Sequence, residues 1–271
     1  MIANTGDDDE FWGLLVCPDV DAVIYRLAGV FNEQAGYGQQ DETFHALQML
    51  ERLGEHTWFR IGDKDLAVHV LRAEMVRRGA TLTEASLELC RRFGVRTRVL
   101  PMSDQRVRTR CITKRGTFSL QEYFVRERLE PALVGIELEG IEVARPTSAV
   151  LHALDEAELV VIGPSNPVIS IDPILKVAGA ALRRERTIAV TPLVGGVALK
   201  GPTVEMMRAL GMEVSPVGVA RHYRDVASGF VVDETDRDVE AAIEALGYTV
   251  TVARTVMDDG GRRLAAALLA R

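Results

Sequence analysis

Short apolar runs and helix-like segments alternate along the second half of the chain, from Thr147 onward. The apolar or β-branched runs predict buried strands at 159–162, 187–190, 230–232 and 248–252. In the segments around them apolar residues recur every three to four positions, which predicts helices at 147–157, 171–177, 203–210, 219–224, 237–246 and 262–269. Strands separated by single helices predict right-handed crossovers and a parallel sheet covered on both faces. The predicted fold class is therefore α/β, with a doubly wound, mainly parallel sheet.

The first half is predicted to be helical up to Gly94 and β-rich after it. Pro18 is expected to open the first helix, Asp41 to cap the second, and Val70 to lie on the inward face of the third. Helices are predicted at 18–30, 41–54, 66–79 and 83–94, with a short strand at 58–60. The period then changes to two, which predicts strands at 95–100, 107–113 and 117–120 and a hairpin turn at 114–116. We interpret residues 1–271 as one domain with a β-rich inserted subdomain at 95–145.

Length and composition indicate a globular protein, because the 271 residues are 47% hydrophobic and 26% charged. No apolar run approaches the roughly 18 residues of a membrane-spanning helix, and the first residues lack the basic and apolar regions of a signal peptide. The net charge of −7 gives no overall field that would hold nucleic acid, although it allows a local basic pocket. Cys17, Cys90 and Cys111 match no zinc or redox spacing. We expect a cytoplasmic protein with neither a membrane nor a nucleic-acid partner.

A glycine-containing loop follows the first strand of the alternating half, and its residue types suit phosphate binding. Amides at a strand-to-helix turn carry the partial positive charge of the helix end, and Ser165 and Asn166 add side-chain donors. An ordinary turn with capping residues explains the same pattern about equally well. A second glycine loop follows the next strand, so the two loops together could hold a diphosphate. The candidate phosphate-binding residues of these loops are Gly163, Pro164, Ser165, Asn166, Gly195 and Gly196.

An acidic stretch begins soon after Ile2 and Ala3, so the chain is expected to enter a polar loop before it forms any element. Residues 7–9 are consecutive aspartates, and Asp19 and Asp21 follow in the first turn of the first predicted helix. Several carboxylates in a short stretch supply the hard oxygen ligands that Mg²⁺ requires in phosphoryl chemistry. The alternative is a solvated loop followed by acids on an exposed helix end, each contributing about 0.3–1 kcal/mol through the helix dipole.

Other reactive residue types are not arranged as a catalytic motif. Asp63 and Lys64 precede a predicted helix, with Arg60 just upstream, and an N-cap with solvated charges is favoured over a functional role. The five histidines include no pair at the spacing of a zinc site on one helix. No nucleophile elbow and no nearby Cys–His pattern is present. The sequence therefore shows no activated nucleophile that would form a covalent enzyme intermediate.

Motifs spread over nearly the whole chain carry a family resemblance. They are NTGDD at 4–8, CPDVD at 17–21, RIGDKDLAVH at 60–69, LPMSD at 100–104, GPSNPVISI at 163–171, PLVGG at 192–196 and VVDE at 231–234. In this order they resemble the CofD/FbiA family of coenzyme F-420 biosynthesis. The resemblance implies a Rossmann-like, Mg²⁺-dependent catalytic domain. Such a transferase moves a phospho-organic acid from a guanosine diphosphate-linked donor to the ribityl hydroxyl of the deazaflavin Fo and releases GMP.

The resemblance also implies roles for individual residues. Asp21 and Arg60 are expected to contact Fo, and residues 163–166 to form part of the donor-binding wall. Asn4 and Thr5 of the first motif are assigned to the donor phosphates. Three carboxylates are the inferred catalytic residues and Mg²⁺ ligands, namely Asp8, Asp19 and Asp21.

The chain departs from the family at its start. Family members begin with a β-strand and a Gly-Gly-Thr-Gly-type loop against the donor phosphates, and no segment here corresponds to them. Met1 is therefore interpreted as an internal start. Two alternatives follow, a nucleotide-sugar-binding regulator of the related gluconeogenesis-factor type and an inactive truncated transferase. The resemblance favours a homodimer, and the sequence does not decide between 2-phospho-L-lactate, phosphoenolpyruvate and phosphoglycerate as the transferred group.

Overall fold

The computed structural model describes residues 1–198 and 201–270, and this part of the chain forms two compact units. The first unit is Met1–Val150, and the second begins at Leu151. Each unit has a buried apolar core of its own. Within the described ranges, no helix is long and apolar enough to cross a membrane.

The first unit combines helices with small sheets. Its strands are β1 (Ile2–Ala3), β2 (Asp9–Phe11), β3 (Leu14–Val16), β4 (Leu100–Pro101), β5 (Arg108–Thr113), β6 (Gly116–Ser119) and β7 (Leu133–Glu139). Its helices are α1 (Pro18–Leu27), α2 (His45–Arg52), α3 (Asp63–Arg77), α4 (Leu82–Arg92) and a π-helical segment, Glu122–Arg126. Strand β1 pairs in parallel with β4, whereas β2 and β3 form a hairpin. Strands β6, β5 and β7 form an antiparallel sheet, in which β5 and β6 correspond to predicted strands and β7 has no predicted counterpart.

The second unit is built around a parallel sheet in the order β13, β12, β9, β8. Its strands are β8 (Val160–Ile162), β9 (Thr187–Val190), β10 (Leu193–Val194), β11 (Val197–Ala198), β12 (Gly229–Asp233) and β13 (Thr249–Ala253). Helix α5 (Ser148–Glu156) spans the boundary, and the other helices are α6 (Asp172–Ala178), α7 (Thr203–Ala209), α8 (Pro216–His222), α9 (Glu240–Glu244) and α10 (Arg262–Leu269). A π-helical segment, Pro167–Ile171, precedes α6. A 3₁₀ segment, Glu234–Val239, precedes α9.

Both faces of this sheet are covered. Phe230 and Val232 of β12 join a cluster that includes Ile243 of α9. Val231, which points to the opposite face, clusters with Leu264 of α10. The α/β class with a parallel sheet and helices is therefore confirmed.

Several local predictions for the first unit are wrong. Residues 58–60 form no strand, because this aromatic segment packs its rings without pairing its backbone. Strand 95–100 is reduced to Leu100 with Pro101. Asp41 does not cap the second helix, since the helix begins at His45 and receives its cap from the distant Asp63.

The start of the chain and the third helix also differ from expectation. Ile2 and Ala3 form a strand, so the acidic stretch follows a paired element. On α3, Val70 is 51% exposed, and the buried positions include His69 and Arg72. The inward face of α3 is therefore partly polar, which an apolar periodicity rule cannot detect.

Candidate functional site

Residues 4–8 form a fixed turn at the carboxyl end of β1. The Gly6 amide donates to Asn4 Oδ1 at 2.7 Å, and the Asp8 amide donates to the Thr5 carbonyl at 3.3 Å. Strand β5 approaches from the other side, with the Thr109 amide donating to the Gly6 carbonyl at 2.6 Å. Asn4, Thr5 and Asp8 are buried. The solvated-loop alternative is therefore wrong.

Asn4 brings two carboxylates together. Its Nδ2 donates to Asp7 Oδ1 and to Asp19 Oδ2, each at 3.1 Å. Burial raises the pKa of Asp7 well above its ordinary value, and the charges of Asp19 and Asp8 raise it further. Burial also raises the pKa of Asp19, although the hydrogen bond from Asn4 opposes this effect. Asp7 was not among the inferred Mg²⁺ ligands. It shares a hydrogen-bond donor with Asp19, and the two carboxylates interact electrostatically.

Asp8 is 2% exposed and lies among charged groups. Burial raises its pKa to about 8, while a hydrogen bond with Cys17 and the charges of Arg108 and Arg72 oppose the increase. Its Oδ1 atom has no hydrogen-bond partner. In the absence of a cation, Asp8 is therefore largely protonated near neutral pH.

Asp21 lies inside the first unit and not on an exposed helix end. It is 4% exposed, and its Oδ1 pairs with Nη2 of the fully buried Arg72. Arg72 also donates through Nη1 to the Leu15 carbonyl at 3.1 Å. Burial raises the pKa of Asp21, and the charges of Arg72 and His69 oppose that increase. Its second oxygen, Oδ2, has no hydrogen-bond partner and lies 3.7 Å from His69 Nδ1.

Asp65 is a second carboxylate close to Asp21. Tyr25 donates its hydroxyl to Asp65 Oδ1 at 2.6 Å, and the same oxygen lies 3.6 Å from His69 Nε2. Burial alone would raise the pKa of Asp65, but His69 and Tyr25 outweigh it and lower that pKa. One ligand atom each of Asp21, Asp65 and His69 lies within 4.8 Å of the others. The sequence offered one signal for this group, the spacing of Asp65 and His69 four residues apart on a helix.

Arg60 is exposed and stacks over Phe44 at 4.5 Å from the ring centroid. Within the described chain, its guanidinium forms no ion pair with Asp21 or another carboxylate. Just upstream, Phe59 stacks on Phe11 with ring centroids 4.0 Å apart, and Trp58 packs edge-on to Phe11 at 5.5 Å. Arg60 thus follows a half-buried aromatic cluster of Phe11, Trp58 and Phe59. Its expected contact with Fo stays a prediction.

Asp63 caps a helix, but not the helix that follows it in the chain. It accepts from the His45 and Ala46 amides, each at 3.0 Å, and therefore caps α2. The Lys64 and Asp65 amides at the start of α3 donate instead to Glu42, each at 2.9 Å. Lys64 donates through Nζ to the Gln40 carbonyl at 2.7 Å, so both side chains have structural contacts.

In the second unit, the loop of residues 163–166 caps the segment that follows it. Asn166 Oδ1 accepts from the Val168 amide at 2.9 Å and the Ile169 amide at 3.4 Å. Its Nδ2 lies 3.5 Å from Met206 Sδ. Gly163 and Pro164 are partly buried, and Ser165 is exposed. The capping alternative is therefore confirmed for Asn166, and donor binding by these four residues stays a prediction.

The second glycine loop lies in the β10–β11 hairpin. Gly195 and Gly196 have φ angles of 59° and 74°, a backbone region that favours glycine. Gly195 donates its amide to Asp236 Oδ2 at 2.8 Å, which fixes the turn. Both glycines are exposed, and their role toward the donor also stays a prediction.

Comparison with known proteins gives a consistent result over the whole chain. A family model described as "2-phospho-L-lactate transferase CofD" matches residues 1–260. The chain is 36% identical to a 2-phospho-L-lactate transferase of Methanosarcina acetivorans, over 95% of this chain and 84% of that protein. It is 38% identical to a phosphoenolpyruvate transferase of Thermobifida fusca, over 98% and 84% of the two chains.

Among solved structures, a UPF0052 family protein of Bacillus halodurans shares the fold. Its TM-score is 0.58 at 16% identity, with 99% of this chain and 89% of that chain covered. Because that identity is low, the likeness concerns the fold alone. The family model and the curated relatives show that the chain belongs to the CofD family of transferases.

Proposed function

We propose that this chain transfers a phospho-organic acid from a guanosine diphosphate-linked donor to the ribityl hydroxyl of Fo, releasing GMP and forming the coenzyme F-420-0 core. The observation that carries this proposal is the buried acidic turn at the end of β1, in a chain of this family. Asp7, Asp8 and Asp19 meet there, and each has its pKa raised by burial. Relatives named for 2-phospho-L-lactate and for phosphoenolpyruvate match about equally well, so either acid, or phosphoglycerate, fits the proposal.

The same residues fit a divalent cation. Asp7 and Asp19 converge on one amide nitrogen, and Asp8 Oδ1 and Asp21 Oδ2 are buried oxygens without hydrogen-bond donors. Hard carboxylate oxygens with few competing donors are typical ligands of Mg²⁺. When bound, Mg²⁺ would neutralise charge on the diphosphate. Asp7 joins the three inferred ligands Asp8, Asp19 and Asp21 as a candidate to hold it.

The proposed reaction is an in-line displacement at phosphorus. The ribityl oxygen forms a bond to the phosphorus of the phospho-organic acid, and the bond from that phosphorus to the GMP oxygen breaks. GMP leaves with the bonding electron pair. Asp21 is suited to orient the hydroxyl or accept its proton, because Arg72 fixes one carboxylate oxygen and leaves Oδ2 without a donor. Arg60 and the neighbouring aromatic rings are suited to contact the flat deazaflavin.

The direct test is incubation with Fo, Mg²⁺ and each of the three guanylylated acids, with GMP and the fluorescent product measured by chromatography. We expect GMP and a phosphorylated deazaflavin in equal amounts from at least one donor. Asp19→Asn should abolish turnover. Asp155→Asn is the matched control, because this exposed carboxylate pairs with Arg183 in the second unit and lies outside the proposed site.

Absence of GMP with every donor would overturn the proposal. A regulator of the gluconeogenesis-factor type would not bind Fo and would not depend on Arg60 or Asp21. Fo fluorescence titration of the wild type and of Arg60→Ala therefore separates the two functions without requiring turnover.

A further inference from the structure

Two arginines are buried within the described chain, and their partners differ. Arg72 pairs with Asp21, whereas Arg108, which is 5% exposed, has no carboxylate within ion-pair distance. Nη1 of Arg108 donates to the adjacent Val107 carbonyl at 3.0 Å, and its Nε has no hydrogen-bond partner. Burying an unpaired guanidinium is costly, so a fold retains one where an anion supplies the missing partner.

Arg108 stands beside the acidic turn. The next residue, Thr109, donates its amide to the Gly6 carbonyl at 2.6 Å, which joins the start of β5 to residues 4–8. Although burial raises the pKa values of Asp7 and Asp8, the charge of Arg108 acts in the lowering direction on both. Arg108 is therefore within electrostatic reach of the carboxylates that are suited to hold Mg²⁺.

A hydroxyl group of the acidic turn is also without a partner. Thr5 Oγ1 is buried and has no hydrogen-bond partner. Buried polar atoms are nearly always paired in folded proteins, so two unpaired donors on adjoining segments indicate a ligand that accepts from both. A phosphoryl group is such an acceptor, because its oxygens accept from guanidinium and hydroxyl donors and can share a cation with neighbouring carboxylates.

We propose that Arg108, with the hydroxyl of Thr5, forms an anion subsite that binds the phosphoryl group of the donor diphosphate. This inference rests on the proposed function and places the phosphoryl group of the donor against the first unit. Arg108 would touch the substrate and stabilise charge on the non-bridging oxygens during transfer. Thr5 would act as its motif implies, whereas the motifs imply no role for Arg108.

The test uses Arg108→Met, which keeps side-chain length and removes the charge. We expect kcat/KM for the donor to fall about 100-fold or more, the usual effect of losing one strong donor to a transition-state oxygen. The KM for Fo should stay within about twofold, and Arg108→Lys should retain an intermediate activity. The matched control is Arg110→Met on the same strand, because Arg110 pairs with Glu139 at 2.6 Å and should change neither constant.

Inorganic pyrophosphate with Mg²⁺ provides a readout that does not require turnover. It should raise the Tm of the wild type and of Arg110→Met but not that of Arg108→Met. If Arg108→Met fails to fold, Thr5→Val provides the same comparison with a smaller expected loss. An unchanged kcat/KM for the donor, or a KM for Fo that rises as much as the KM for the donor, would overturn the subsite. If the wild type releases no GMP, the proposed function fails, and the pyrophosphate shift still tests Arg108.

Discussion

Asp233 of the second unit and the acidic residues around the turn of the first unit differ in the direction of their pKa shifts. In the second unit, Asp233 accepts from the Thr255 amide at 2.7 Å, the Thr255 hydroxyl at 2.9 Å and the Thr235 amide at 3.0 Å. Burial alone would raise the pKa of Asp233, but these donors outweigh it and lower the pKa. In the first unit, burial raises the pKa values of Asp7, Asp8 and Asp21. Both carboxylate oxygens of Asp233 accept hydrogen bonds, whereas Asp8 Oδ1 and Asp21 Oδ2 have no hydrogen-bond partner.

Buried side-chain nitrogen and oxygen atoms without a hydrogen-bond partner are also unevenly distributed between the two units. Among the described residues, the buried side-chain atoms without hydrogen-bond partners belong to the first unit, with Tyr223 as the exception in the second. Those of the first unit are in Thr5, Asp8, Asp21, His69, Arg72, Arg108 and Thr109. Unpaired buried groups cost stability, and their concentration in the first unit agrees with the proposal that the donor and Mg²⁺ bind there.

Asp21→Ala should produce the largest effect, because it removes a group of the proposed site and also leaves Arg72 buried without its partner. We expect loss of turnover and a decrease of about 3–5 kcal/mol in the free energy of unfolding. Urea denaturation measures the second quantity. A first-turn acid on an exposed helix end would cost only about 0.3–1 kcal/mol.

A double variant separates the two consequences. In Asp21→Ala with Arg72→Leu, both charges are absent, so much of the stability should return while turnover stays absent. Recovery of turnover would show that Asp21 serves only to neutralise Arg72, and the contrast between the units would then be one of stability alone.

The pH dependence of stability should show the raised pKa of Asp8 directly. The folded pKa of about 8 lies above the unfolded value of about 3.9, so the folded state keeps a proton that the unfolded state loses. Its contribution to stability is complete below about pH 4 and is lost as the pH rises toward 8. We expect the free energy of unfolding to fall by on the order of 1 kcal/mol per pH unit in that window.

Denaturation across this pH window, with a chelator present, measures the slope. Asp8→Asn should flatten it, because the amide does not titrate. Mg²⁺ should also reduce it, by favouring the ionised carboxylate. A slope that is the same in the wild type and in Asp8→Asn would show that Asp8 ionises normally in the folded protein.

Asp233→Ala tests the expectation that the fully hydrogen-bonded carboxylate of the second unit stabilises the fold and takes no part in the reaction. It should lower the free energy of unfolding by about 1–3 kcal/mol, because the buried Thr255 amide loses its acceptor. Turnover per folded molecule should be unchanged. If turnover fell while the Tm stayed the same, the second unit would also contain a carboxylate whose main role is in the reaction.

The sequence was most informative where burial follows a simple period. Strand β9 (Thr187–Val190) and helix α10 (Arg262–Leu269) have the predicted bounds, because strands buried on both faces form continuous apolar runs and the last helix has one apolar stripe. On α3 the same rule failed, since His69 and Arg72 take buried positions. The buried ion pair of Asp21 and Arg72 forms because α1 packs against α3, and a local sequence pattern cannot predict which helices pack together.

For the site, the motifs located the acidic turn and Asp21 but not their partners. The pairing of Asp21 with Arg72 joins residues 51 positions apart. Arg108 reaches the turn only because β5 lies against residues 4–8. The cap of α2 could not be predicted from local sequence either, because the capping residue Asp63 lies 18 residues beyond His45. Short-range spacing therefore identified candidate groups, and long-range packing decided their charge states.

Asn166→Ala should give the smallest loss of stability. It tests whether the loop of residues 163–166 in the second unit has only a structural role or also binds the donor. The side chain caps the segment that begins at Pro167, so its loss should cost about 1 kcal/mol in the free energy of unfolding. If the loop also binds the donor, the donor KM should rise as well. Ser165→Ala is the matched variant, because Ser165 is exposed and its side chain does not cap the helix. A donor KM that rises in both variants would indicate ligand binding in the second unit, whereas unchanged values would leave this loop with a structural role alone.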